Sequence, residues 1–174
     1  QNDRVAGSGY GWKGQAGFDL YKNLTPNLVG AFSYNTDFAE TEADERRINL
    51  TRFPLFFPEK RMFFLEGSET FNFSSSVSFI PFFSRRIGLY QGSQVPIIFG
   101  TKLYGKVGGT NLALMDMETE AFGDLPKNNL FAARLTQDVF EESKAGFILT
   151  NGSPTGERNT LLGVDFNYST SRFA

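Results

Sequence analysis

Apolar and polar side chains alternate along much of the chain with a period of two. Within residues 14–21, Ala16, Phe18 and Leu20 share one side, while Gln15, Gly17 and Asp19 share the other. Residues two apart share a face in a strand, so this period predicts β-structure. Asn23-Leu24-Thr25-Pro26-Asn27 reads as a turn into a return strand over residues 28–35. Residues 97–106 set Ile97, Phe99 and Leu103 against Gly100, Lys102 and Lys106, and Val107-Gly108-Gly109-Thr110 predicts a hairpin into residues 111–118. Phe131, Ala133 and Leu135 oppose Ala132, Arg134 and Thr136, and residues 144–150 return after a charged turn. The clearest alternation lies in residues 158–169: Leu162, Val164, Phe166 and Tyr168 form one face, Gly163, Asp165 and Asn167 the other. About seven or eight strands with short links predict an all-β antiparallel meander.

Residues 36–83 break this rhythm. They begin acidic with Asp37, Glu40, Glu42, Asp44 and Glu45, pass Arg46 and Arg47, and enter a stretch holding Phe53, Phe56, Phe57, Phe63 and Phe64. Pro54 and Pro58 forbid a regular central strand or helix there. Residues 39–47 have the Ala, Glu and Arg content of a short helix. A long Phe-rich insert in a β-domain is expected to fill an interior or to form a functional loop.

A half-buried sheet in a soluble sandwich and a strand in a membrane barrel produce the same alternation. Three features point towards the barrel: strands of about 10 residues, small or charged residues on one face (Gly17, Asp19, Gly100, Lys102, Arg134, Gly163, Asp165), and Tyr21, Tyr34, Tyr104 and Tyr168 near strand ends. Periodicity leaves the soluble sandwich or sugar-binding jelly roll open.

Composition narrows the chemistry. The 174 residues suit one domain, and 17 basic against 19 acidic side chains leave a net charge of −2, without the positive footprint of a nucleic-acid binder. The absence of Cys and His removes thiolate nucleophiles, disulfides, imidazole bases and the usual zinc sites. No apolar run approaches the roughly 20 residues of a spanning helix. With 20 Phe and 18 Gly, the chain is rich in ring-bearing strand formers and turn formers. A polar start without Met, and an end at Ala174 just after a strand-like run, are expected of a piece of a longer chain or of a processed one.

Residues 35–67 carry Glu42-Ala43-Asp44, Asn49-Leu50-Thr51, Phe56-Phe57-Pro58-Glu59-Lys60-Arg61 and Phe63-Phe64-Leu65-Glu66-Gly67. Phe83-Ser84-Arg85-Arg86-Ile87-Gly88 and Gly163-Val164-Asp165-Phe166 follow downstream. This set closely resembles the signature of a bacterial outer-membrane family catalogued as a domain of unknown function, whose members typically pair an amino-terminal, family 9-like carbohydrate-binding module with a carboxy-terminal β-barrel. The resemblance implies that residues 1–174 are part of one such barrel domain in a Gram-negative outer membrane, with residues 36–83 as a plug or loop. It implies outer-membrane lipid and, through the sugar-binding module of a full-length parent, glycans as partners, and it brings no catalytic residues.

The expected function is therefore solute passage or surface glycan binding, with the insert constricting the lumen. A charge network of Glu59, Lys60, Arg61, Glu66, Arg85, Arg86, Lys102, Arg134 and Asp165 would hold the insert, because desolvated charges need partners. Phe56, Phe57, Phe63 and Phe64 either line a glycan-stacking site or form buried core. The alternative class is a soluble carbohydrate-binding β-domain, or a glycoside hydrolase using Glu59 and Glu66 as its carboxylate pair. No cofactor, metal or nucleic acid is expected. The acidic run offers oxygen ligands but lacks the Asp/Asn spacing and central Gly of a calcium loop.

Overall fold

The computed structural model describes residues 17–35, 58–73, 80–91, 93–139 and 142–169. The acidic run, the expected helix over residues 39–47, Phe53, Phe56, Phe57 and the first residues of the expected 14–21 strand fall outside them. Seven strands form one sheet in sequence order: β1 (Phe18–Thr25), β2 (Leu28–Tyr34), β5 (Ile97–Val107), β6 (Thr110–Thr119), β7 (Asn128–Asp138), β8 (Lys144–Asn151) and β9 (Thr160–Asn167). Every adjacent pair is antiparallel. Between β2 and β5 lie a single helical turn, α1 (Met62–Leu65), and a separate hairpin of β3 (Leu89–Tyr90) and β4 (Ser93–Gln94). The fold is thus all-β and antiparallel with almost no helix, as the alternation predicts. It is an open sheet rather than a closed barrel: among the described residues, β1 and β9 are each paired on one side only.

Three sequence expectations shift. The first strand runs through Asn23-Leu24-Thr25, absorbing them with a register shift between Asn23 and Thr25, and the turn contracts to Pro26 and Asn27. A second shift, between Ile97 and Phe99, pairs Ile97 with Thr119 but Phe99 with Glu118. The extra residue turns Ile97 to the face opposite Phe99 and Leu103, where it is 3% exposed, instead of sharing theirs. The insert also extends past Phe83 to Pro96, because β2 pairs directly with β5 and the β3–β4 hairpin stays outside the main sheet.

The two faces differ in kind. On one, Ala31, Ala113, Met115, Met117, Leu130 and Ala132 pack against Phe63, Phe64, Phe71 and Ile87 of the insert, which forms the core. On the other, Leu103, Leu114, Ala133, Leu149 and Leu162 line up across five strands, with Leu112, Leu135, Phe147 and Val164 in the next row. Leu162 is 67% exposed and Val164 74%. This apolar face ends in polar groups: Asp116 and Glu118 accept from Asn129 at 2.8 and 3.4 Å, and Lys127 pairs with Glu118 at 2.8 Å.

The connections also sort by end. The β1–β2, β5–β6 and β7–β8 links join strands at one end of the sheet, whereas the β2–β5, β6–β7 and β8–β9 links join them at the other. Gly146 on β8 is required by close approach: a Cβ there would overlap Asp165 Oδ1 and both Nη atoms of Arg134. Gly146→Ala should therefore destabilise the chain by about 1–3 kcal/mol through displacement of that pair, measurable as a lowered denaturant midpoint.

Candidate functional site

The insert is tied first to itself. Arg61, just before α1, grips the Glu59 carboxylate with Nε and Nη2, both at 2.8 Å. It also donates to the carbonyls of Ile87 at 2.6 Å and Ser84 at 2.8 Å, and the Ser84 hydroxyl donates to Glu59 at 2.8 Å. This clasp joins residues 59–61 to the 3-10 turn at Ser84–Arg86. Its guanidinium is buried and lies 4.1 Å from the Phe64 ring centre, so the ring's electron-rich face replaces water on one side. Burial alone would raise the Glu59 pKa. The hydrogen bonds and charge of Arg61, with the Ser84 bond, outweigh it and hold the carboxyl below its usual range.

The sheet holds the insert through two cations. Lys102 on β5 donates to the carbonyls of Phe63 and Glu66, and its ammonium lies 4.9 Å from the Phe63 ring centre and 4.8 Å from that of Tyr104. Tyr104 adds a 2.9 Å hydrogen bond to the Glu66 carboxylate. Arg134 on β7 donates to the Asn72 carbonyl at 3.0 Å and makes a bidentate pair with Asp165 at 2.6 and 2.8 Å, beside the Phe73 ring. Both cations are 3% exposed, a costly position for charge unless every donor finds an acceptor.

The predicted network is thus partly assembled and differently wired. Lys102 and Arg134 do meet the insert, but at backbone carbonyls rather than at Glu59, Lys60 or Arg61. Asp165 meets Arg134 and steadies it. Lys60 is exposed, Arg85 is buried in the 3-10 turn, and Arg86 is exposed beside a cleft. Phe63 and Phe64 are each 1% exposed and packed edge to face, which makes them core and leaves no open ring for a sugar. Glu59, clamped as a carboxylate, lacks the raised pKa of a general acid. Among the described residues, no group of three or more Asp or Glu could hold a metal ion.

Sequence reasoning missed Tyr104, Ser84 and the Asn72 carbonyl. The small residues facing the insert were the available signal. A Cβ on Gly100 would overlap Met117 and crowd Phe63, and one on Gly163 would press on Phe73.

Fold and site together define an antiparallel β-chain that clamps a charged, aromatic insert against one face of its sheet. The family model for a domain of unknown function (DUF5916) matches residues 13–98, which include the first hairpin and the insert. That agrees with the resemblance to a domain of unknown function, and it carries neither the outer-membrane barrel nor the sugar-binding module. No curated protein and no solved structure matches the chain.

The clasp has a pH signature. A depressed folded-state pKa contributes stability that is present above the ordinary carboxylate range and is lost as pH falls through the lowered value. Denaturation midpoints of the native chain should therefore fall on acidification from about pH 5, and Glu59→Gln should flatten that acid-side slope while lowering stability at neutral pH.

Proposed function

We propose that this chain is an arc of an outer-membrane β-barrel wall, with lipid on its open apolar face and the insert held in the lumen as a constriction on solute passage. The observation that carries the reading is the polarity of the sheet. The covered side holds Lys102, Arg134 and Asp165, and the uncovered side presents Phe18, Leu20, Leu162, Val164 and Phe166, each more than half exposed. In water that arrangement is unfavourable; in a bilayer the exposed rows meet hydrocarbon.

Dimensions and connectivity add support. The 11 residues of β5 and β7 extend roughly 36 Å at about 3.3 Å per residue, and a tilt near 45° brings that close to the apolar band of about 25 Å. Links of two to five residues at one end and of eight residues or more at the other match the short periplasmic turns and longer extracellular loops of such barrels. Closure of the wall would pair β1 and β9 with further strands. The buried rings of Phe63 and Phe64 give glycan binding no support, so passage is the function favoured.

The test is the location and gel behaviour of the full-length protein. An outer-membrane band whose mobility shifts on heating in detergent supports the barrel, and a soluble band with no shift sinks it in favour of a second sheet packed on the apolar face. Val164→Arg on the lipid-facing rows should lower the stability of the protein folded into lipid vesicles by up to about 2–4 kcal/mol. Lys102→Met, by releasing the carbonyls of α1, should raise single-channel conductance in planar bilayers. Unchanged conductance would show that the insert does not set the bore.

A further inference from the structure

A cleft of about 420 Å³ opens between the later part of the insert and the sheet, at the end that carries the long connections. This is the size of small-molecule sites, and its walls divide by chemistry. Ile80, Phe82 and Ile87 from the insert and Leu130 and Leu161 from β7 and β9 supply its apolar lining, and polar groups supply the rest. Thr150 and Asn159 contribute neutral polar groups. Among the described residues, Arg86 is the single charged side chain in the lining, and no carboxylate shares the cleft with it.

Arg86 differs from the cations that hold the fold together. Arg61 and Arg134 are buried and spend their donors on carbonyls and carboxylates, whereas Arg86 projects from the 3-10 turn and is exposed. Among the described residues its guanidinium makes no hydrogen bond or ion pair. A planar fork of donors in the lining beside apolar side chains suits a ligand with a carboxylate head and an apolar body.

We propose that this cleft binds small organic carboxylates bearing a ring or short apolar chain, with the carboxylate on Arg86 and the body between Phe82 and Leu161. The inference rests on the cleft alone and not on the membrane reading. The clasp of Arg61 with Ser84 and Ile87 fixes the turn from which Arg86 projects, so the head-group site is attached to the insert and the body site is shared with the sheet.

The probe is 4-fluorophenylacetate, titrated into the full-length protein in non-ionic detergent and followed by fluorine NMR, with the neutral 4-fluorophenylacetamide as its control. The carboxylate is expected to bind saturably and at least about ten-fold more tightly than the amide, because a charge-assisted pair is lost in the control. Arg86→Gln, a change at an exposed position, should reduce carboxylate binding to the level of the amide while the far-ultraviolet spectrum stays β-type. Equal affinity for the two probes, unchanged binding by the Arg86 variant, or no saturation up to about 10 mM carboxylate would each overturn the proposal. The amide comparison uses the unaltered protein, so a folding defect in the variant cannot mask the answer.

Discussion

Two desolvated cations set the terms for everything on the covered face. Lys102 has Ala31 and Met115 as its cross-strand neighbours, and Arg134 has Ala113 and Ile148. None of these side chains carries an oxygen acceptor, and the Met115 sulfur is only a weak one. A buried ammonium or guanidinium left in such a setting costs several kcal/mol; Asp165 on β9 supplies two acceptors for Arg134, and the others must come from above the sheet. They come from the ends of short turns, where carbonyls lack partners of their own: Phe63 and Glu66 at α1, and Asn72 after the 3-10 turn at Ser68–Phe71. The need is reciprocal, since the turn ends require donors as much as the strands require acceptors. This explains how a four-residue helix with no side-chain cap persists at all.

The same reciprocity gives the composition a geometric meaning. The insert contributes rings, and the strands beneath contribute glycines that leave room for them. Phe63 sits over Gly100, Phe73 over Gly163, and the Arg134–Asp165 pair spans Gly146. A Cβ would press on the Phe73 ring at Gly163, on Met117 and the Phe63 ring at Gly100, and on the Arg134–Asp165 pair at Gly146. Rings in turn make the buried cations tolerable, because Arg61, Lys102 and Arg134 each lie beside a Phe of the insert.

The strands were legible because period-two alternation is a local property: β7, β8 and β9 match the predicted runs within a few residues, and Phe131, Ala133 and Leu135 share a face as expected. What the alternation could not carry was the pair of register shifts. One additional residue between Ile97 and Phe99 reverses the side of Ile97, and nothing in the local pattern marks it. In the site, the residue types were legible and the wiring was not. A charge paired with a charge is the natural guess from composition, whereas Lys102 and one of the three hydrogen bonds of Arg134 end on main-chain carbonyls, which every residue carries and no sequence distinguishes. Arg61 pairing with Glu59 two residues away was within reach of local reasoning; its reach to Ser84 and Ile87 depends on how the insert folds back.

The polarity of the sheet and the burial of its cations bear on one another. Were the covered face of a barrel wall lined by water, Lys102 and Arg134 would be hydrated and would need no insert. At 3% exposure they are instead dehydrated by it, so on the barrel reading the insert replaces lumen water over the middle of the strands. The open face shows the complementary feature: rows of Leu, Val and Phe bounded by Asp116, Glu118 and Asn129 at the long-connection end, with Lys22 on the edge strand β1 in line with Leu103 and Leu114. A soluble sandwich would place its charges on the outside and its aliphatic rows within. Here Lys102, Arg134 and Asp165 are covered and bonded while the aliphatic rows are uncovered, which is the distribution that the proposed lipid-facing wall requires.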